Sequence, residues 1–199
     1  MKKLATFFVA FGLILGISKA QPVSDMGVIP IGVTLNSILR LNIISGGNIE
    51  FVVTTIDQYS SGILNSSQYD TRFTVASSQD FNVTMQAETA DLFNSGGVGG
   101  VVGMPLNNIG YRVSEAGTYA ETTNWVILSN AATLPLTFAV ATIINGVAGA
   151  SAGSALNNDF TINWELGTRA GTMNALTLLE QSLAADRYSV NVLMQLVAK

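Results

Sequence analysis

The side chains that carry out most enzymatic chemistry are missing from this sequence: its 199 residues include no histidine and no cysteine. Such a chain cannot build a Ser-His-Asp triad, a thiolate nucleophile, or an ordinary zinc, copper or haem site. We therefore expect no catalytic residue, no cofactor and no metal site. The protein is predicted not to be an enzyme.

Carboxylates are the remaining groups with catalytic potential, because two of them are enough to hydrolyse a glycoside. The 13 acidic residues are scattered along the chain, however. Several lie beside turn residues, where a solvated or turn-capping role is expected: Asp57, Asp70, Asp80 and Asp91. The glycine-rich stretches 96–103 and 146–153 lack the spacing of a phosphate-binding loop and are predicted to connect strands.

Exposed aromatic rings would give a second route to function, because carbohydrate-binding modules are often secreted sandwiches that stack sugars on such rings. The candidates for a glycan-stacking platform are Trp125, Tyr111 and Tyr119. The other tryptophan, Trp164, alternates in step with three apolar residues, Phe160, Ile162 and Leu166. We therefore predict that Trp164 faces the protein core.

The first 20 residues have the pattern of a secretory signal peptide: a basic start, an apolar run over residues 4–17, and Ser18-Lys19-Ala20 before the cleavage point. This run is too short to span a bilayer, which needs about 20 residues. We predict that residues 1–20 are removed and that residues 21–199 form one domain without a membrane span. The protein is expected to be secreted to the outside or the cell surface of a bacterium, or into its periplasm.

Charge is sparse, since 11% of the residues are charged and 48% are hydrophobic. That composition excludes coiled coils and disordered tails. Loss of Lys2, Lys3 and Lys19 leaves 6 of the 9 basic residues against 13 acidic ones, a formal net charge of −7. Nucleic acid and anionic lipid are therefore not expected as partners, because both are negatively charged and bind basic surfaces.

Apolar and polar residues alternate with a period of two in many short segments, which is typical of strands with one buried face. The predicted fold is all-β, an antiparallel β-sandwich of Greek-key or immunoglobulin-like type with nine or ten strands. The predicted strands cover 29–35, 39–43, 49–56, 72–75, 81–86, 109–113, 119–128, 136–144, 160–166 and 188–197. Residues 77–80 are predicted to form a hairpin connection.

One stretch near the C-terminus departs from the strand pattern. Leu176, Leu179 and Leu183 follow helical spacing, which predicts a short helix over residues 174–185. The tyrosine that follows, Tyr188, has two interpretations: a tyrosine corner that ties a Greek-key connection to the sheet, or an ordinary tyrosine at the start of a strand.

Trp164-Glu165-Leu166 resembles the motif of the WxL-type domains of bacterial surface proteins. The resemblance covers about the last 40 residues, and it implies a secreted β-sandwich that attaches non-covalently to the cell wall or assembles on it. Those domains carry two such motifs. The second candidate here, at residues 125–128, has one residue too many.

The segment Gln21–Leu35 resembles the strand that pilin-like subunits donate to a neighbour. In that family an apolar extension of one subunit completes the sheet of the next. The residues that would enter the neighbour are Ile29, Ile31, Val33 and Leu35. The interpretation we favour is simpler, an ordinary first strand of the chain's own sandwich.

These observations together predict a non-enzymatic structural or adhesive protein of the bacterial surface. Its partners are copies of itself, other surface proteins or glycans. A carbohydrate-binding module is the first alternative. A small outer-membrane β-barrel is the second, although the chain ends in Ala198-Lys199 without a terminal aromatic residue and shows no aromatic girdles.

Export is expected to remove the first 20 residues because of the Lys2-Lys3 start and the small residue at position 20. Mass spectrometry of the exported protein should find Gln21 at the N-terminus, as glutamine or as pyroglutamate. An exported chain that retains Met1 would contradict this expectation.

Overall fold

The computed structural model describes residues 26–64, 67–94, 103–129 and 132–199. The chain divides into two compact units, residues 1–35 and residues 36–199. In the first unit, the described residues 26–35 contain no helix or strand, and all of them are exposed. The predicted signal peptide lies outside the described residues.

The second unit is built from short strands. Among its described residues, nine strands have three residues or more: β1 Leu39–Ser45, β2 Asp70–Ser77, β3 Phe81–Ala87, β4 Asp91–Asn94, β6 Ile109–Glu115, β7 Trp125–Ile127, β9 Ala141–Gly146, β10 Gly153–Leu166 and β12 Val192–Ala198. Three more have two residues each: β5 Met104–Pro105, β8 Leu134–Pro135 and β11 Tyr188–Ser189. One α-helix, α1 Ile56–Ser61, and 3-10 turns at Ser67–Tyr69 and Leu106–Asn108 complete the described elements.

The strands form three open antiparallel sheets. The five-stranded sheet has the order β1-β2-β10-β6-β8, the four-stranded sheet has the order β12-β3-β9-β7, and a small sheet has the order β11-β4-β5. The strands β2 and β3 follow one another in sequence but belong to different sheets, so the chain crosses from one sheet to the other at residues 78–80. The predicted all-β antiparallel sandwich is confirmed, while the predicted hairpin over residues 77–80 is wrong.

The core contains the inward-facing residues of the two large sheets. Alternation is regular in β3, where Phe81, Val83, Met85 and Ala87 are at most 2% exposed while the residues between them are half-buried. In β10, the strand at the centre of the five-stranded sheet, Trp164 and its predicted companions Phe160, Ile162 and Leu166 are all buried. The predicted core position of Trp164 is therefore confirmed.

Three predicted elements are absent from the structure, and two predicted strands are shorter than expected, since only residues 125–127 of the range 119–128 and residues 141–144 of the range 136–144 are in strands. Residues 29–35 form no strand. Residues 49–56 are not a strand either: their burial alternates as far as Val53, and then α1 begins because Thr55 and Gln58 form a capping box. The predicted helix over residues 174–185 is replaced by turns. Thr177 and Glu180 exchange the hydrogen bonds of a capping box, but Ser182 has a left-handed backbone conformation with φ of 51°, which a right-handed helix cannot include.

The hydroxyl of Tyr188 donates a hydrogen bond of 3.0 Å to the carbonyl of Ala184, four residues upstream. This contact has the form of a tyrosine corner, the first of the two interpretations of this residue. In the described ranges, no helix is long and apolar enough to cross a membrane.

Replacement of Trp164 by alanine should lower the free energy of unfolding by about 3–5 kcal/mol because it leaves a cavity in the core. It also removes the 2.9 Å hydrogen bond from the indole Nε1 to the hydroxyl of Thr71. Urea unfolding would measure the loss. The control is Phe93→Ala, since that ring is 49% exposed and its removal should change stability by about 0.5 kcal/mol or less. Equal losses in the two variants would contradict the core position of Trp164.

Candidate functional site

The aromatic residues proposed for glycan stacking do not form an exposed platform. Trp125 is fully buried and Tyr111 is 2% exposed. The Trp125 ring packs against Phe160, with centroids 4.9 Å apart, and its Nε1 donates to the carboxylate of Glu115 at 3.2 Å. Burial raises the pKa of the Tyr111 hydroxyl above its usual value. Both rings are core residues with no face free for a sugar.

The third proposed stacking residue, Tyr119, is half-buried. Its ring lies against Trp125 at a centroid distance of 5.8 Å, and its hydroxyl donates to the carbonyl of Ala152 at 3.3 Å. Tyr119 thus covers one end of the core. Trp164-Glu165-Leu166 is likewise buried, with each of its residues at most 7% exposed.

A small surface depression contains one exposed aromatic ring that the sequence analysis did not single out, Phe93. The depression has a volume of about 180 Å³ and is lined by Glu88, Thr89, Phe93, Ser189, Val190 and Asn191. The Asn191 amide donates to the Glu88 carboxylate at 2.6 Å. In the part of the chain that the structure describes, no cluster of three acidic side chains could hold a metal ion.

The predicted strand-addition segment is exposed along its whole length. Ile29, Ile31, Val33 and Leu35 are between 79% and 90% exposed. A side chain at Gly32, between them, would have no atom within 4 Å. Four apolar side chains at alternate positions therefore lie in water, a costly state that burial against another surface would relieve.

The last strand, β12, forms one edge of the four-stranded sheet. Its residues Val192, Met194 and Leu196 pair with Ala87, Met85 and Val83 of β3 and therefore share the core-facing side of the sheet. Their partners are at most 2% exposed. All three β12 residues are only half-buried, so the core is incompletely covered along this strand.

The first strand, β1, forms the corresponding edge of the five-stranded sheet. Leu39, Leu41 and Ile43 pair with Ser77, Val75 and Phe73 of β2, which are buried. The β1 residues themselves are half-buried or, for Ile43, 47% exposed. We call β1 and β12, with their six core-facing residues, the open edge.

Backbone hydrogen bonds at the strand ends show which groups of the open edge face away from the neighbouring strand and lack a strand partner among the described residues. In β12, Glu88 N donates to Asn191 O at 2.9 Å and Lys199 N donates to Asp80 O at 2.8 Å. Hydrogen-bonded pairs alternate in an antiparallel ladder, so the odd-numbered residues of β12 bond to β3. The N–H and C=O groups of Val192, Met194 and Leu196 therefore point away from β3, toward the free side.

Bonded and free residues alternate in the same way in β1, and the residues that face the core are again the free ones. Ser78 N donates to Ile38 O at 2.9 Å, and Ile38 N donates to the Ser78 hydroxyl at 2.8 Å. The even-numbered residues of β1 therefore bond to β2, and Leu39, Leu41 and Ile43 direct their N–H and C=O groups to the free side. On both strands, the residues with half-exposed apolar side chains are also the ones with free backbone groups.

The three-residue connection Ser78–Asp80 positions both strands. The start of β1 bonds to Ser78 and the residue after β12 bonds to Asp80. The strands β1 and β12 are thus antiparallel neighbours that meet at this connection. Their Cα atoms come within 8 Å, although they belong to different sheets and do not pair.

Asp80 fixes this connection to the loop over residues 149–152. Its carboxylate accepts hydrogen bonds from the N–H groups of Gly149, Ser151 and Ala152 and from the Ser151 hydroxyl. These bonds, the one from Gly149 first, hold the pKa of Asp80 below its usual value. The Asp80 side chain therefore keeps the connection in place as long as it is ionised.

The arrangement has the chemistry of a receptor for a β-strand. Free N–H and C=O groups supply main-chain hydrogen bonds, and half-buried apolar side chains supply contacts two residues apart. The sequence analysis found both strands but not their position at an edge. Pairing partners lie far apart in sequence, as with Leu196 and Val83, so no local signal indicates which strands are outermost.

Comparison with protein-family models and with curated proteins finds no match to this chain. The resemblances to WxL-type and pilin-like proteins stay predictions.

Acid should weaken the fold through Asp80. Because the folded-state pKa is lowered, the carboxylate stabilises the protein fully above the unfolded-state value of about 3.9, and this contribution is lost as the pH falls through the folded-state pKa. Asp80→Asn should therefore be less stable than the wild type at pH 7, and the difference should shrink at low pH. Thermal unfolding at several pH values would measure this, with Asp91→Asn as the control. A difference that is independent of pH would contradict the role of the charge.

Proposed function

We propose that this protein is a secreted, non-enzymatic structural protein of the bacterial surface, with a scaffolding or adhesive role, that assembles by addition of a β-strand to the open edge. The observation that carries the proposal is the coincidence on β1 and β12 of free backbone groups and half-exposed core side chains. A partner strand would satisfy both at once.

The strand β12 lacks the usual protection against pairing, whereas β1 carries Arg40 and a register shift after Ile43. Soluble β-proteins block exposed edge strands with charged residues, proline or bulges, because unpaired edges recruit other strands. The seven residues of β12, Val-Leu-Met-Gln-Leu-Val-Ala, include no charge and no proline. An edge of this kind supports a role in pairing.

The open edge supplies part of the energy that stable association requires. Full burial of a large aliphatic side chain contributes about 1.5–3 kcal/mol, and six half-buried side chains share the open edge. Ordering an added strand costs about 1–2 kcal/mol for each residue, so the apolar contacts of the incoming strand must contribute as well. An incoming strand therefore needs alternating apolar residues of its own.

Export supports the surface location. Residues 1–20 have the pattern of a signal peptide, and the composition without cysteine suits a protein that relies on its core instead of disulfides. Low charge and many Thr, Ser, Asn and Gly residues are typical of strands and turns in such proteins.

A carbohydrate-binding module is the second candidate, and the depression around Phe93 is the observation that favours it. An exposed ring beside the Glu88 carboxylate and the Asn191 amide combines a stacking surface with hydrogen-bonding groups. Loss of glycan binding in Phe93→Ala, with assembly intact, would support this candidate.

Strand addition predicts that the open edge binds an apolar peptide in trans. A chain of residues 36–199, which is one compact unit, should stay folded and bind a peptide of residues 21–35. Val33→Asp in the peptide should weaken binding by about 100-fold or more, because burial of an unpaired carboxylate costs several kcal/mol. Calorimetry or fluorescence anisotropy would measure the affinities.

The matched control is the peptide with Thr34→Asp, whose charge lies on the opposite face of the strand and should leave the affinity nearly unchanged. On the protein, Leu196→Asp should weaken peptide binding while Gln195→Asp should not. A folded chain of residues 36–199 that binds none of these peptides would refute strand addition.

A further inference from the structure

The orientation and the source of the added strand follow from the geometry of the open edge. We infer that the segment Ile29–Leu35 of one copy of the protein pairs antiparallel with β12 of a second copy. This inference rests on the proposed strand addition, and it names the partner and the register.

The first step is the direction of pairing. In an antiparallel ladder, two directly opposed residues have their side chains on the same face of the sheet. The residues of β12 with free backbone groups also face the core, so they would form hydrogen-bonded pairs with donor residues whose side chains face the core. These donor residues are Ile29, Ile31, Val33 and Leu35. A parallel ladder would use the residues between them, which include Pro30. Proline has no N–H to donate, so the antiparallel arrangement makes more hydrogen bonds.

The second step is the choice between the two edges. On β12 four residues have core-facing side chains and free backbone groups: Val192, Met194, Leu196 and Ala198. On β1 there are three, because a register shift follows Ile43. Four donor residues match four positions on β12, in the pairs Ile29 with Ala198, Ile31 with Leu196, Val33 with Met194, and Leu35 with Val192.

The width of the open edge agrees with pairing on one side. A strand hydrogen-bonded to both β1 and β12 would need them about 9.6 Å apart, twice the usual strand spacing of about 4.8 Å. The Cα atoms of the two strands approach within 8 Å. An added strand therefore cannot bond to both strands at the points of closest approach, and the inference assigns its ladder to β12.

The third step is the source of the strand. In this register Leu35 lies opposite Val192. Val192 is six residues before Ala198, which places it about 20 Å from the end of β12. Ile38 is held at that same end, because it bonds to Ser78 in the connection that also binds Lys199. The three steps from Leu35 to Ile38 span at most about 11 Å. A chain therefore cannot place its own segment in this register, and the donor must be a second copy.

Cysteine pairs in the full mature chain test this inference. The natural sequence contains no cysteine, so a double variant has only two thiols. In the predicted register, the pairs Val33→Cys with Met194→Cys and Leu35→Cys with Val192→Cys bring Cα atoms to about 4.5–5.5 Å, which a disulfide can bridge. Mild oxidation should give cross-linked dimers and longer ladders on non-reducing gels.

Two control pairs keep the test specific. Thr34→Cys with Met194→Cys places one thiol on the opposite face, and Leu35→Cys with Ala198→Cys reports the parallel direction. Both should cross-link at least tenfold more slowly. Faster cross-linking in the parallel pair, cross-linking confined within single chains, or no cross-linking in either predicted pair would overturn the inference. If peptide 21–35 still bound the open edge in trans, strand addition would stand with a different register or donor.

Discussion

The fold depends on how the chain crosses between its two large sheets at Ser78–Asp80. This connection ends β2 in one sheet and starts β3 in the other, and it also binds the residue before β1 and the residue after β12. The carboxylate of Asp80 fixes the connection to the loop over residues 149–152 through four hydrogen bonds. One acidic side chain thus holds the common end of both strands of the open edge.

That constraint determines what the open edge can accept. Because β1 starts and β12 ends at the same connection, the two strands are antiparallel. The connection also determines which residues of each strand have free N–H and C=O groups. The N-terminal segment is joined to β1 through residues 36–38. A hairpin onto β1 would need its turn within residues 36–38, where Ile38 is already bonded to Ser78. In the proposed register, the link of three residues is too short for the segment to pair with β12 of its own chain.

The sequence predicted the fold class and the core well, but the site poorly. Alternation identified β3 and β10 and placed Trp164 inside, because period-two burial is a local property of a strand. It could not place Trp125, where Val126, Ile127 and Leu128 interrupt the pattern, and that ring is in the core. The helix predicted from Leu176, Leu179 and Leu183 did not form because Ser182 has a left-handed backbone conformation with φ of 51°, which the spacing of the leucines does not indicate.

The N-terminal segment shows the limit of pattern analysis most clearly. An intrinsic strand and a donated strand have the same alternation, because both bury one face against a sheet. The three-dimensional arrangement supports the proposed donated strand, because the segment is exposed and β12 has four positions with the matching alternation. The short distance that residues 36–38 can cover then decides between the chain's own edge and that of a neighbour. If the proposed register is right, this segment cannot reach β12 of its own chain and would bury its apolar face there only by assembly between chains.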